Sequence, residues 1–262
     1  MRGFIDPARA TRQRPLWHYD LASGEWSEKS PGEIGWDWGF YDYADEDTEL
    51  EHPDLTFEKF EREFPLIREH MLQRKFKGWA KQRKAFLLSY MQMMRARSPM
   101  FIEAQTEHNR GLRAATITSV GPGNQITVDS MELRPLPENV VRNATISQMR
   151  QEIAKGPDWM WDFNWALRYT NAPADPFVTG PQPVITEGKV EGRGFVDAMK
   201  HPDTLIWFPL CWQACLVGSI RRFDEGTLEA PPSLLAHVRG LFRRSTSGFL
   251  ISPHKLSDQA FT

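Results

Sequence analysis

Cysteine is scarce in this chain, with two in 262 residues, and that excludes a disulfide-stapled scaffold. Long apolar runs are missing too. The longest uncharged stretch, Thr204 to Ile220, falls short of the roughly 20 apolar residues a spanning helix needs, and it contains Pro209 and Gln213. It reads as buried strand. Arg2, Arg9, Arg12 and Arg14 stand near the start without an apolar segment beside them, so no secretory signal is expected and the expected location is cytoplasmic, with no membrane partner. A large net charge is also lacking, because 32 Lys and Arg face 34 Asp and Glu. With 40% hydrophobic and 25% charged residues, the composition excludes a disordered, collagen-like or heptad-repeat chain.

What is present is aromatic mass, 10 Trp and 16 Phe, which predicts a core built on large rings. Leu16 to Asp20, a turn through Ala22-Ser23-Gly24, and Trp26-Ser27 read as a hairpin. Trp36 to Tyr43 suits a strand, and Asp45-Glu46-Asp47 a solvated loop. A helix is predicted from Thr56 as N-cap, with Pro65 marking a break or a new first turn. Leu72, Phe76, Trp79, Phe86, Leu87, Tyr90 and Met94 then form an apolar stripe, with Arg74, Lys77, Lys81 and Lys84 opposite. This helix should end before Pro99.

Residues 115–120 and 125–131 predict a second hairpin, and Ile146 to Lys155 a short helix closed by Gly156-Pro157. Trp159, Trp161, Phe163, Trp165 and Leu167 alternate as in a strand, although a helix is an alternative. Phe177-Val178-Thr179 reads as a short strand in a proline-rich loop. Leu205 to Ser219 reads as one or two strands broken near Pro209. Ser233 to Phe242 predicts a helix and Gly248 to Ile251 a strand. Four strand steps would put the Cα atoms of Cys211 and Cys215 about 13 Å apart, beyond disulfide reach, so both are expected as buried thiols. The class is α+β, a helical segment packed on a small antiparallel aromatic-rich sheet. One domain over 1–262 is expected: hairpins and an acidic loop at 1–55, helices at 56–107, mixed elements at 113–262.

The small net charge conceals a split. Between Asp20 and Glu63, 15 acidic residues face three basic ones, and between Pro65 and Arg97, nine basic residues face one acidic. The basic helix 74–97 could offer a phosphate-binding face, with Trp79 and Tyr90 near enough to stack on bases. Equally, the acidic and basic segments could pack together or be solvated faces, and Trp79 and Tyr90 lie on the core stripe. Arg83 falls on the apolar stripe, where a guanidinium must be paired or point into a cleft. Glu58 and Glu61 of the preceding helix are its expected partners. Gln92 and Arg95 are placed on an adjacent edge, so that Arg83, Gln92 and Arg95 could border one polar groove. There is no P-loop, dinucleotide fingerprint, nucleophile elbow or zinc spacing, so no cofactor or metal is expected. His52-Pro53-Asp54 and His201-Pro202-Asp203 read as turns.

Several collinear segments resemble the bacterial domain of unknown function 4238. These are Arg2-Gly3-Phe4-Ile5-Asp6; Leu16-Trp17-His18-Tyr19-Asp20 with Gly24, similar to "L-W-V-Y-D…G"; and Phe57-Glu58-Lys59-Phe60-Glu61. Gln92 with Arg97-Ser98-Pro99 is similar to "Q…R-[ST]-P", Phe177 to Val184 to "F-I-T-S-D-N-P-V", and Phe208-Pro209-Leu210 to "[FY]-P-L-S-P". The resemblance implies an upstream "H-H-Y-V-P" segment, of which this chain begins at the last residues, and an Asp where Pro181 stands. Two histidines and an aspartate could bind a metal or do acid–base work, so a chain without them is expected to act by binding. Its anion-contact edge is then Arg83, Gln92, Arg95 and Arg97, with nucleic acid as the first ligand. The alternatives are a metal-dependent hydrolase such as a nuclease, with catalytic histidines upstream of Met1, and an interaction subunit whose protein partner covers the acidic Asp45–Glu51 face.

Overall fold

A computed structural model describes residues 16–34, 53–73, 81–120, 126–188, 201–221 and 226–261. The strand expected at 36–43, the acidic loop and Trp79 lie outside the described residues. A central five-stranded sheet runs in the order β6 (Ile185–Glu187), β7 (Leu205–Cys211), β8 (Ala214–Ser219), β5 (Asn164–Tyr169) and β9 (Gly226–Glu229). Every pairing in it is antiparallel except β5 with β9. Two smaller sheets accompany it: β1 (Leu16–Asp20) between β2 (Trp26–Lys29) and β10 (Phe249–Ser252), and the hairpin of β3 (Arg113–Val120) with β4 (Ile126–Pro135).

The period-two side-chain pattern of the central strands produces two cores. Trp165, Leu167, Ile206, Phe208, Leu210 and Leu216 join one, with α1 (Pro53–Leu72), α2 (Lys81–Ala96) and α4 (Glu138–Lys155). Their alternates Ala166, Trp207, Cys215 and Val217 join the other, with α5 (Pro232–Ser245), Tyr19 of β1 and Leu250 of β10. A sheet covered on both faces has little room for polar residues, which accounts for the uncharged stretch from Thr204 to Ile220. The α+β class therefore holds, with a second layer beyond the helix-on-sheet packing expected.

Local chemistry sets the element ends. In the β1–β2 turn, Asp20 Oδ1 accepts the amides of Ala22 and Ser23 at 2.8 and 2.9 Å, a side-chain turn that holds the hairpin in register. Helix α4 ends at Gly156, whose φ of 73° suits a residue without a Cβ. Between α2 and α3 (Pro99–Gly111), Ser98 Oγ accepts from the Phe101 amide at 3.3 Å, and Pro99 opens the new helix. The segment after β5 joins two sheets. Phe177 N donates to Trp212 O at the tip of the β7–β8 hairpin, and Thr179 exchanges backbone hydrogen bonds with Ile251 of β10.

Several expectations change. Helix α1 begins at Pro53, before Thr56, and runs unbroken through Pro65. Pro65 and Glu61 are both exposed, so the carbonyl deprived of its helical partner faces water. Residues 53 and 54 thus open a helix rather than form a turn. Helix α4 is longer than predicted. The Trp159–Leu167 alternation divides into a 3₁₀ turn at Asp158–Met160 and β5. The break in Leu205–Ser219 falls after Cys211, with Pro209 inside β7 and a register shift following it. Cys211 and Cys215 are both buried and free, on opposite sides of this turn.

Candidate functional site

The end of α2 is a junction between helices. Gln92 is 1% exposed, and its Nε2 donates to the backbone oxygen of Glu152 on α4 at 3.1 Å. Arg95 closes a triangle: its Nε donates to Gln92 Oε1 at 3.3 Å and its Nη2 meets Glu152 Oε2 at 3.1 Å. Lys155 reaches the other carboxylate oxygen at 2.9 Å. Burial lowers the Arg95 pKa and the Glu152 charge opposes that, so the pair keeps a half-sheltered guanidinium ionised. Arg97 faces the other way, with Nη1 2.6 Å from Glu61 Oε1 on α1 and its guanidinium carbon 4.2 Å from the Phe57 ring centre. Beside it Tyr90 stacks on Phe64 at 4.0 Å, and burial pushes the Tyr90 hydroxyl pKa upward, aided by the Glu61 charge.

Arg83 is exposed, not on the buried stripe. Its Nη1 donates to His70 Nε2 near the end of α1. Glu61, an expected partner of Arg83, takes Arg97 instead, and Glu58 is exposed. The place of Arg83, three before Phe86 and four before Leu87, turns it to the apolar side of α2, but it stands in the first turn of the helix, which begins at Lys81, ahead of the buried part of that side. Nine residues are two and a half turns of helix, which puts Arg83 and Gln92 on opposite sides of α2. The four predicted residues therefore do not border one groove. Arg83 and Arg97 face α1, whereas Gln92 and Arg95 face α4.

The start of α2 differs from its end. At the start, Arg83 meets His70 Nε2 of α1. Next to it Lys84 donates to Trp161 O at 3.0 Å and lies 5.6 Å from the Trp161 ring centre. Among the described residues neither Arg83 nor Lys84 has a carboxylate partner, unlike Arg95 and Arg97.

Sequence spacing missed other groups. Glu187 of β6 accepts from Trp207 Nε1 at 3.0 Å through Oε2, and its Oε1 lies 2.8 Å from His237 Nε2 of α5. Only β-sheet register brings positions 187 and 207 together, which no local motif announces. His18 is 7% exposed, its ring lies 4.8 Å from Phe249, and Nδ1 has no hydrogen-bond partner. Burial lowers its pKa, the Lys29 charge adds to that, and Asp20 opposes it. No cluster of three His, Cys, Asp or Glu suited to a metal occurs among the described residues, and no described helix is long and apolar enough to cross a membrane.

No curated protein and no solved structure matches the chain. The family model described as "Protein of unknown function (DUF4238)" matches residues 2–237. That span contains the hairpin, the Gln92 to Pro99 junction, and the 177–184 crossing that joins two sheets. The chain belongs to the DUF4238 family.

Proposed function

We propose that this chain acts by binding an anionic partner, nucleic acid first, through the start of α2 rather than its end. The observation that carries the reading is the division of charge along the helix. Arg95 and Arg97 are matched by Glu152 and Glu61, while exposed Arg83 rests on a histidine and Lys84 on a tryptophan. A cation beside a half-buried indole is the combination that holds a phosphate and stacks a base. The test is retention of labelled single- and double-stranded DNA and RNA on native gels at low salt. Wild type should retain at least one of them and release it as salt rises, and Arg83→Ala should retain less. No retention of any probe sinks the reading.

A second reading, a hydrolase, is favoured by the Glu187–His237 pair. A carboxylate fixed by an indole N–H and aimed at an imidazole orients that imidazole as a general base. Phosphodiesterase activity on a chromogenic diester that disappears in His237→Ala but not in Arg83→Ala would select it.

A further inference from the structure

Strand register and helix packing meet at one carboxylate. In the β6–β7 pairing, Ile185 lies opposite Trp207 and Glu187 opposite Leu205. Residues two apart in a strand share a face, and Ile185, Trp207 and Leu205 all join the core on the α5 side. Glu187 therefore ends β6 on that side. Trp207 Nε1 donates to its Oε2 at 3.0 Å, and His237 Nε2 lies 2.8 Å from its Oε1. Trp207 is 3% exposed, so a buried indole holds one oxygen in place while the other meets the imidazole.

His237 itself is 45% exposed. An ionised carboxylate can only accept, so the neutral imidazole carries its proton on Nε2 and its lone pair on Nδ1. Nδ1 has no hydrogen-bond partner among the described residues. An anion at Nε2–H feeds electron density into the ring and raises the basicity of Nδ1. His108 of α3 is exposed too, but has no carboxylate partner among the described residues. In His201 the Asp203 amide occupies Nδ1 at 3.2 Å. No described Lys or Arg touches Glu187 or His237, so the pair has no cation to balance a phosphate, and a neutral carbonyl suits it better.

We propose that His237 Nδ1 is a nucleophile that takes acyl groups from activated esters, with Glu187 and Trp207 as positioning residues. This rests on the oriented imidazole of the hydrolase reading and names its reacting atom and substrate class. Nδ1 gives its lone pair to the carbonyl carbon, and the bond from that carbon to the leaving oxygen breaks, its electron pair departing with the oxygen. The Nε2 proton passes by way of Glu187 Oε1 to the departing alkoxide, leaving a neutral acyl-imidazole. Water then adds to the acyl carbon and the carbon–Nδ1 bond breaks. The carboxylic acid leaves, and the second proton of the water returns to Nε2.

The experiment treats the full chain with diethyl pyrocarbonate at about pH 8, where an ordinary imidazole is neutral, and follows each histidine by peptide mass spectrometry. His237 should be acylated about tenfold faster than His108. Glu187→Gln should remove that excess and leave the His108 rate unchanged, which also reports an intact fold. Trp207→Phe, which keeps an aromatic ring and loses the N–H, should give an intermediate rate. With p-nitrophenyl acetate, wild type should release p-nitrophenol faster than His237→Asn. A His237 rate no higher than that of His108, an unchanged rate in Glu187→Gln, or equal ester cleavage in wild type and His237→Asn would each overturn the proposal. Ester cleavage without cleavage of the chromogenic diester would end the phosphodiesterase reading alone.

Discussion

Arg97 and Glu61 meet at 2.6 Å across the α1–α2 interface, with the Phe57 ring beneath the guanidinium. Glu61 is 55% exposed and Arg97 23%, so solvent screens much of the attraction. Packing on Phe57 adds to it. Arg97→Ala should cost about 1.5 kcal/mol and Glu61→Ala about 0.5 kcal/mol. A double-mutant cycle in urea should return a coupling of about 0.5 kcal/mol. A coupling near zero would remove the ion pair from the account.

Gly218 of β8 lies against the face of Trp165, and a Cβ added there would fall 2.3 Å from the ring. Trp165 is 1% exposed and central to the helix-side core, so it has nowhere to retreat. Gly218→Ala should cost about 3 kcal/mol, read as a lowered urea midpoint. Near-neutral behaviour would mean that the sheet can shift to admit a methyl group.

His18 gives a pH dependence with a definite sign. Its folded pKa is lowered from 6.5, mainly by burial, so below pH 6.5 the unfolded chain binds more protons than the folded one. Stability therefore falls as pH drops through 6.5 toward the lowered value, and well above pH 7, where neither state is protonated, the residue contributes no slope. The urea midpoint should decline from pH 7 to 5, and His18→Phe should flatten part of that decline. An identical profile in the variant would mean that His18 charges freely in the folded state.

Cys211 and Cys215 are buried, and burial pushes both thiol pKa values up. Neither should react with a thiol reagent in the native protein over minutes, and both should react at once in denaturant. Rapid labelling of one thiol under native conditions would show that the β7–β8 turn opens.

Legibility followed locality. The β1–β2 hairpin, the Gly156 helix end and β10 are written in adjacent residues, and the sequence places them. The first half of α4 escaped because a polar group shares its packed face: Asn109 Nδ2 donates to Thr145 Oγ1 at 3.0 Å, which interrupts the apolar stripe. The rule that an arginine on a buried face needs a partner or a cleft was sound. It pointed to Arg83, which stands in the exposed first turn of α2, and the residue that satisfies it is Arg239, buried and paired with Asp175. Glu152, the anchor for Gln92 and Arg95, is 57 positions beyond Arg95, a pairing set by tertiary packing alone.

The central claim is that the end of α2 holds helices together while its start meets an anionic partner. It is tested most directly by the salt dependence of fluorescence anisotropy with the nucleic acid that wild type retains. If Arg83 and Lys84 each neutralise a phosphate, the slope of log K against log salt should be shallower by about 2 in the Arg83→Ala, Lys84→Ala double variant than in wild type. Equal slopes in the two proteins, with both folded, would contradict the claim.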